Sequence, residues 1–254
     1  MDPERQSKFA IHEAAREGRT AAVESLINAN PRLATMRDDD ERLPIHWAVS
    51  YNHMPVVEML VSRKDFDPDV QDSSGWTPLM IAASLRDGDD LVDMLLSKEA
   101  DVNKRTVHFT ASKNNLEIAR KLLSHGATAR VKDKRGQLPL HRAAAIGSVP
   151  MVNLMLENKS PLNATDISGL TALHHGKFAA FLFGLEDDGL DADLLKAISE
   201  GHGDTALALL KAGAEADKRD VDGNLAIDLA PDRKIRQFIL QSAEREGVDI
   251  EESK

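Results

Sequence analysis

Gly136-Gln-Leu-Pro-Leu-His141-Arg-Ala-Ala144 and Gly75-Trp-Thr-Pro-Leu-Met80-Ile-Ala-Ala83 are the stretches that decide the fold. In each, Gly supplies a turn and Pro sits where the first turn of a helix has no hydrogen bond to lose. The same block, with a marker at its sixth position, recurs at His12, His46, Met80, His108, His141 and His174, with spacings of 34, 34, 28, 33 and 33 residues. A second apolar set keeps time with the first: Val23/Leu26/Ile27, Val57/Leu60/Val61, Val92/Leu95/Leu96, Ala119/Leu122/Leu123, Val152/Met155/Leu156 and Ala206/Leu209/Leu210. An i, i+3, i+4 triplet is one apolar face of a helix. Six residues after the marker stand Gly18, Asn52, Asn114 and Gly147, which tolerate the left-handed conformation a helix C-terminus needs. Each unit therefore reads as helix, tight turn, helix, stacked into a solenoid.

The period of about 33 and these unit starts resemble the ankyrin-repeat consensus. We assign an all-α ankyrin solenoid of about seven helix-turn-helix repeats over residues 9–241, with short β-hairpin tips and a concave binding groove. A polar tail (1–8) precedes it and an acidic tail (242–254) follows. The last unit, Gly223 to Gln241, carries Leu229, Ile235, Phe238, Ile239 and Leu240. With 42% hydrophobic but only 4% aromatic residues, the chain suits short helices held by Leu, Val and Ala across repeat interfaces.

The composition excludes several function classes. The absence of cysteine removes disulfides, thiolate metal sites and thiol nucleophiles together. A net charge of −10 disfavours nucleic acid and favours a partner with a basic surface. The first residues lack a signal-peptide core, and the longest strongly apolar run, Phe178 to Leu185, is too short to span a membrane. An intracellular, cytoplasmic and nuclear monomer before complex formation is expected, with neither membrane association nor nucleic-acid binding. Two sequons, at Asn158 and Asn163, would matter only in a secreted protein.

Nine histidines invite a metal hypothesis, densest at His174, His175 and His202. However, the repeat places His12, His46, His108, His141 and His174 in a column whose members stand roughly 8 to 10 Å apart, too far to share one metal. The ankyrin resemblance gives this His a structural task, hydrogen-bonding backbone between units. No nucleophile-elbow, phosphate-loop or zinc-protease motif occurs, and the acidic clusters fall on wet hairpin tips. Neither catalysis nor a cofactor is expected.

The register names a binding surface instead. Tip positions four residues before the marker hold Arg42, Trp76, Gln137 and Leu170; inner-helix positions hold Trp47 and Tyr51, Ile81, Phe109 and Lys113, and Arg142. Trp47, Trp76, Tyr51 and Phe109 are four of the ten aromatic residues in the chain, and aromatic and Arg side chains are favoured at interfaces. Acidic clusters come early and basic residues later.

Ile45-His-Trp-Ala-Val-Ser50, Asp72-Ser-Ser-Gly-Trp-Thr-Pro-Leu79, Ala111-Ser-Lys-Asn-Asn115 and Ile198-Ser-Glu-Gly-His-Gly-Asp204 go beyond the generic consensus. Together they resemble the gankyrin family of proteasome regulatory-particle assembly chaperones. The resemblance implies a groove that grips the C-terminal domain of one proteasomal AAA ATPase subunit and blocks premature docking on the core particle. It implicates Asp40, Arg42, Trp47, Trp76 and Lys113 and, by register, Tyr51, Asp72, Ile81 and Arg142. The alternative is another ankyrin scaffold, such as a kinase or transcription-factor inhibitor. The family's Leu-x-Cys-x-Glu motif has no counterpart in a chain without cysteine.

The repeat is broken twice. Six residues are missing from the hairpin of repeat four, near 105–106, and 21 extra residues, 176–196, interrupt the first helix of repeat six. Insertions normally lie in surface loops, so both breaks are expected to be splicing or gene-model errors.

Overall fold

A computed structural model describes residues 9–103, 105–175, 204–229, 233–245, 247 and 250. The chain forms two compact units, 1–106 and 107–254, and the boundary falls at the shortened hairpin.

In the first unit, α1 (Ala10–Arg16), α3 (Pro44–Ser50) and α5 (Pro78–Ser84) are the first helices of three repeats. The partner helices are α2 (Thr20–Ala29), α4 (Met54–Val61) and α6 (Asp89–Ser97), and a short 3-10 turn spans Pro31–Thr35. First helices stack on first helices and second on second: α1 on α3 on α5, and α2 on α4 on α6. The alanines after the marker make this possible, since Ala14, Ala15, Ala48, Ala82 and Ala83 are fully buried and let backbones approach closely. The apolar triplets of α2, α4 and α6 bury Val23, Val57, Leu60, Val92 and Leu95.

The second unit holds α7 (Thr106–Ser112, which begins at the boundary), α8 (Leu116–Ser124), α9 (Pro139–Ile146), α10 (Val149–Glu157) and α11 (Ala172–His175). A helix over 204–211 (α12), a 3-10 turn Ala226–Leu229 and α13 (Arg233–Arg245) follow. Helix α9 packs on α10 and α11, and α8 on α10.

The turn after the first helix behaves as its sequence demands. Gly18, Asn52, Asn114 and Gly147 all take positive φ, at 68°, 55°, 54° and 76°. Repeat three departs, because one extra residue separates its helices. There Gly88 replaces the left-handed turn; a Cβ on it would sit 2.1 Å from the Ala82 carbonyl oxygen, so only Gly fits.

The hairpin tips are tight turns rather than ribbons. Among the described residues the single bridged pair is Arg219 with Leu225. In repeat four the missing turn Gly is replaced by Arg105, which takes φ 57° and donates its N–H to the Asn103 carbonyl at 2.9 Å. Thr106 then enters α7 directly and is fully buried. The 176–196 insertion, the apolar run 178–185 and His202 lie outside the described residues.

Candidate partner-binding surface

Each intact tip is built on an aspartate eight residues before the marker: Asp38, Asp72, Asp133, Asp166 and Asp220. One carboxylate oxygen accepts the backbone N–H groups two and four residues on. Asp72 takes Ser74 and Trp76 at 2.9 Å each, Asp133 takes Arg135 and Gln137, and Asp166 takes Ser168 and Leu170. The second oxygen is left for a side chain. Asp38 accepts the Trp47 indole N–H at 2.7 Å, Asp72 the Arg42 guanidinium at 3.1 Å, and Asp133 the Arg142 guanidinium at 2.8 Å. Asp166 accepts Gln137 at 3.2 Å and His175 at 2.9 Å. The tips therefore fix Arg42, Trp47, Gln137 and Arg142 among the side chains that the register assigns to a partner.

Adjacent tips are also pinned to one another. Ser73 N–H donates to the Asp40 carbonyl, Ile167 N–H to that of Arg135, and Val221 N–H to that of Ser168, at 3.1 to 3.2 Å. Glycine is needed where they touch: a Cβ on Gly136 would meet Ile167 N at 3.3 Å and one on Gly169 would meet Val221 N at 3.1 Å.

In the first unit, Arg42, Trp47, Tyr51 and Asp72 form one strip. The Arg42 guanidinium lies 5.0 Å above the Trp47 ring while paired to Asp72, whose side chain is 3% exposed. Trp47 stacks on Tyr51 (6.4 Å, 26°), and Tyr51 on His53 (6.3 Å, 9°). His53 donates Nε2–H to the Arg16 carbonyl at 2.9 Å and covers Gly18. Tyr51 is 53% exposed and Asp40 is exposed beside the strip. Trp76 is half-buried on the next tip. Ile81 departs from expectation: at 5% exposure it offers a partner little surface, because an aliphatic side chain has no polar end to keep wet. In the second unit Lys113 is exposed and Arg142 half-buried against Asp133, whereas the tip residue Gln137 is buried.

The histidine column binds backbone. His12 donates Nε2–H to the Met36 and Arg42 carbonyls, His46 to that of Val70, and His108 to that of Gln137. Nδ1 of His46 accepts Leu43 N–H, that of His141 accepts Leu138 N–H, and that of His174 accepts Thr171 N–H. Asp228, at the same position of repeat seven, takes Leu225 N–H with its carboxylate. An imidazole that accepts an N–H must be neutral, as at His46 and His141; burial lowers the pKa of His46, takes that of His141 to about 4, and lowers that of His12 as well. His175 is also lowered by burial, so its bond to Asp166 is one between a neutral donor and a carboxylate. For Asp133 and Asp166 burial pushes the pKa upward, but the hydrogen bonds they accept outweigh it and hold both below the usual carboxylate value.

The family model described as "Ankyrin repeats (3 copies)" matches residues 10–106 and 107–220. A Saccharomyces cerevisiae protein named "Probable 26S proteasome regulatory subunit p28" is 33% identical over 249 residues, 93% of this chain and 99% of that protein. The chain belongs to the gankyrin family. A second relative matched over nearly its whole length is the Schizosaccharomyces pombe ankyrin repeat-containing protein C6C3.08, 31% identical over 90% of this chain and 92% of that one. Human neurogenic locus notch homolog protein 1 is 33% identical, but over 55% of this chain and 6% of its own length. The solved ankyrin domains of Bcl-3 (TM-score 0.67, 23% identity, 90% and 96% covered) and human ASB11 (0.72, 20%, 95% and 98%) share the fold.

Of the tip carboxylates in this gankyrin-family chain, the sequence reading named only Asp72. The signal was present, since an Asp stands eight residues before His46, Met80, His141, His174 and Asp228. It fails at His108, where the six missing residues put Ala100 in that place.

Proposed function

We propose that the chain is a proteasome regulatory-particle assembly chaperone, a protein-interaction scaffold and not an enzyme, that binds the C-terminal domain of an AAA ATPase subunit of the base. The full-length similarity to the yeast p28 subunit carries this reading. The strip on α3 supports it physically. Arg42 is held by Asp72 and Trp47 before any partner arrives, so little side-chain entropy is lost on binding. Tyr51 and Trp47 offer aromatic area beside a cation, and Asp40 offers an anion for a basic group. Lys113 and Arg142 add cations in the second unit. The bound ATPase domain would be sterically kept from premature docking on the core peptidase particle, in the cytoplasm and nucleus.

Binding of the purified chain to the separately produced C-terminal domains of the base ATPases tests this directly. One domain should bind, and Tyr51→Ala with Trp47→Ala should weaken it at least tenfold while helical circular dichroism is kept. Binding to none of the domains, or equal binding by the double variant, would reject the reading.

A further inference from the structure

The residue after each tip aspartate occupies one repeated position, and in the second unit it reads Lys134, Ile167, Val221. The first-unit tips have Asp39 and Ser73 there. Ile167 and Val221 are 73% and 70% exposed, more than any other large apolar side chain among the described residues. They are neighbours, because their tips are joined by the Val221 N–H to Ser168 carbonyl bond at 3.2 Å and meet again at Gly169. The Ile167 tip is in turn bonded to the Arg135 carbonyl, which brings the exposed Lys134 and Arg135 alongside. Water-facing β-branched side chains carry a solvation cost that the tip does not need: it is closed by Asp166 or Asp220, and Ile167 and Val221 contribute only their backbone N–H groups. Single exposed aliphatic residues are ordinary, but two on joined tips beside two cations make a rimmed apolar patch of the kind that marks an interaction site.

We propose that the tips of repeats six and seven form a docking surface within the second unit for a short acidic protein segment carrying two aliphatic side chains. The aliphatic pair covers Ile167 and Val221, and the carboxylates face Lys134 and Arg135. Although the chain as a whole is acidic, charge on these joined tips selects this occupant: the exposed cations Lys134, Arg135 and Arg219 outnumber the exposed Asp222 beside Val221, so a basic segment would meet a local excess of like charge.

The test is an amide chemical-shift titration of the full chain with three peptides at millimolar concentration. These are acetyl-Glu-Glu-Ser-Val-Ser-Ile-Ser-amide, the same peptide with Ser for Val and Ile, and the same peptide with Lys for Glu. The first should shift residues 166–169 and 220–223, and the other two should bind at least tenfold more weakly. Ile167→Ser with Val221→Ser should weaken the first peptide at least tenfold at unchanged melting temperature, and Lys134→Glu with Arg135→Glu several-fold. If the double serine variant loses its fold, Ile167→Ser alone and the charge variant carry the same comparison. No shift on these tips, or equal shifts from the aliphatic-free peptide, overturns the proposal. So does a concentration-dependent dimer that the serine variant abolishes, since the face would then belong to a second copy.

Discussion

At the scale of single residues, Asp72 serves both the tip and the binding strip. Asp72→Ala removes the acceptor for two backbone N–H groups and leaves the Arg42 guanidinium without its anion. A loss of about 2 kcal/mol is expected from the urea midpoint, with Asp72→Asn in between because an amide oxygen still accepts the two N–H groups. His141 makes a separate prediction about pH. The unfolded chain takes up a proton near the ordinary value of 6.5, whereas the folded chain resists until about 4. Protons therefore favour unfolding in that window: stability is full above about pH 6.5 and falls as pH drops toward 4. His141 alone would account for about 3 kcal/mol, and His12, His46 and His175 act in the same sense. Urea unfolding at pH 7.5 and 5 measures it; His141→Asn should be less stable at pH 7.5 and show a flatter pH dependence, and a wild-type curve that does not move with pH would refute the mechanism. Below about pH 4 the depressed carboxylates Asp133 and Asp166 add to the loss as they protonate.

At the scale of elements, the tip glycines separate backbone strain from crowding. Gly169 and Gly223 both have positive φ (73° and 85°), but a Cβ on Gly169 meets the next tip at 3.1 Å while one on Gly223 meets nothing within 4 Å. Gly223→Ala should therefore cost about 1 kcal/mol and Gly169→Ala roughly twice that, as read from thermal unfolding. Gly75 should resemble Gly223, since its nearest neighbours would be side-chain ends at 3.8 and 4.0 Å; a Gly75→Ala cost equal to that of Gly169→Ala would contradict the tip geometry. The helix pairs were legible in the sequence because apolar spacing and a turn residue of fixed type recur in each unit. The histidine column was legible too in position, while its role came from the ankyrin resemblance. The tip carboxylates were mostly missed, because a loop Asp looks like a solvated charge until its two backbone donors are in place. The burial of Ile81 was hidden for a related reason: register gives the direction of a side chain but not how far its neighbours close over it.

At the scale of the molecule, contacts divide the chain at residues 106 and 107, where the hairpin is shortened. In a repeat protein, stability is carried by each repeat and its nearest neighbours, so native-state hydrogen exchange in rising urea should resolve two opening units, one for 10–106 and one from 107 onward. A single shared opening energy across both would disprove that division. The bonds between tips have a sense as well. Where tips bond, the later one donates its N–H to the earlier one's carbonyl, as Ser73 to Asp40 and Val221 to Ser168 show. The tip row thus has a head and a tail like a growing filament; among the described residues no backbone N–H bonds to the carbonyl of Ser74, ahead of the hairpin that lacks six residues, or to that of Asp222. A hairpin added to such a row would by the same rule donate to the tip before it, so the row lengthens by accretion in one sense.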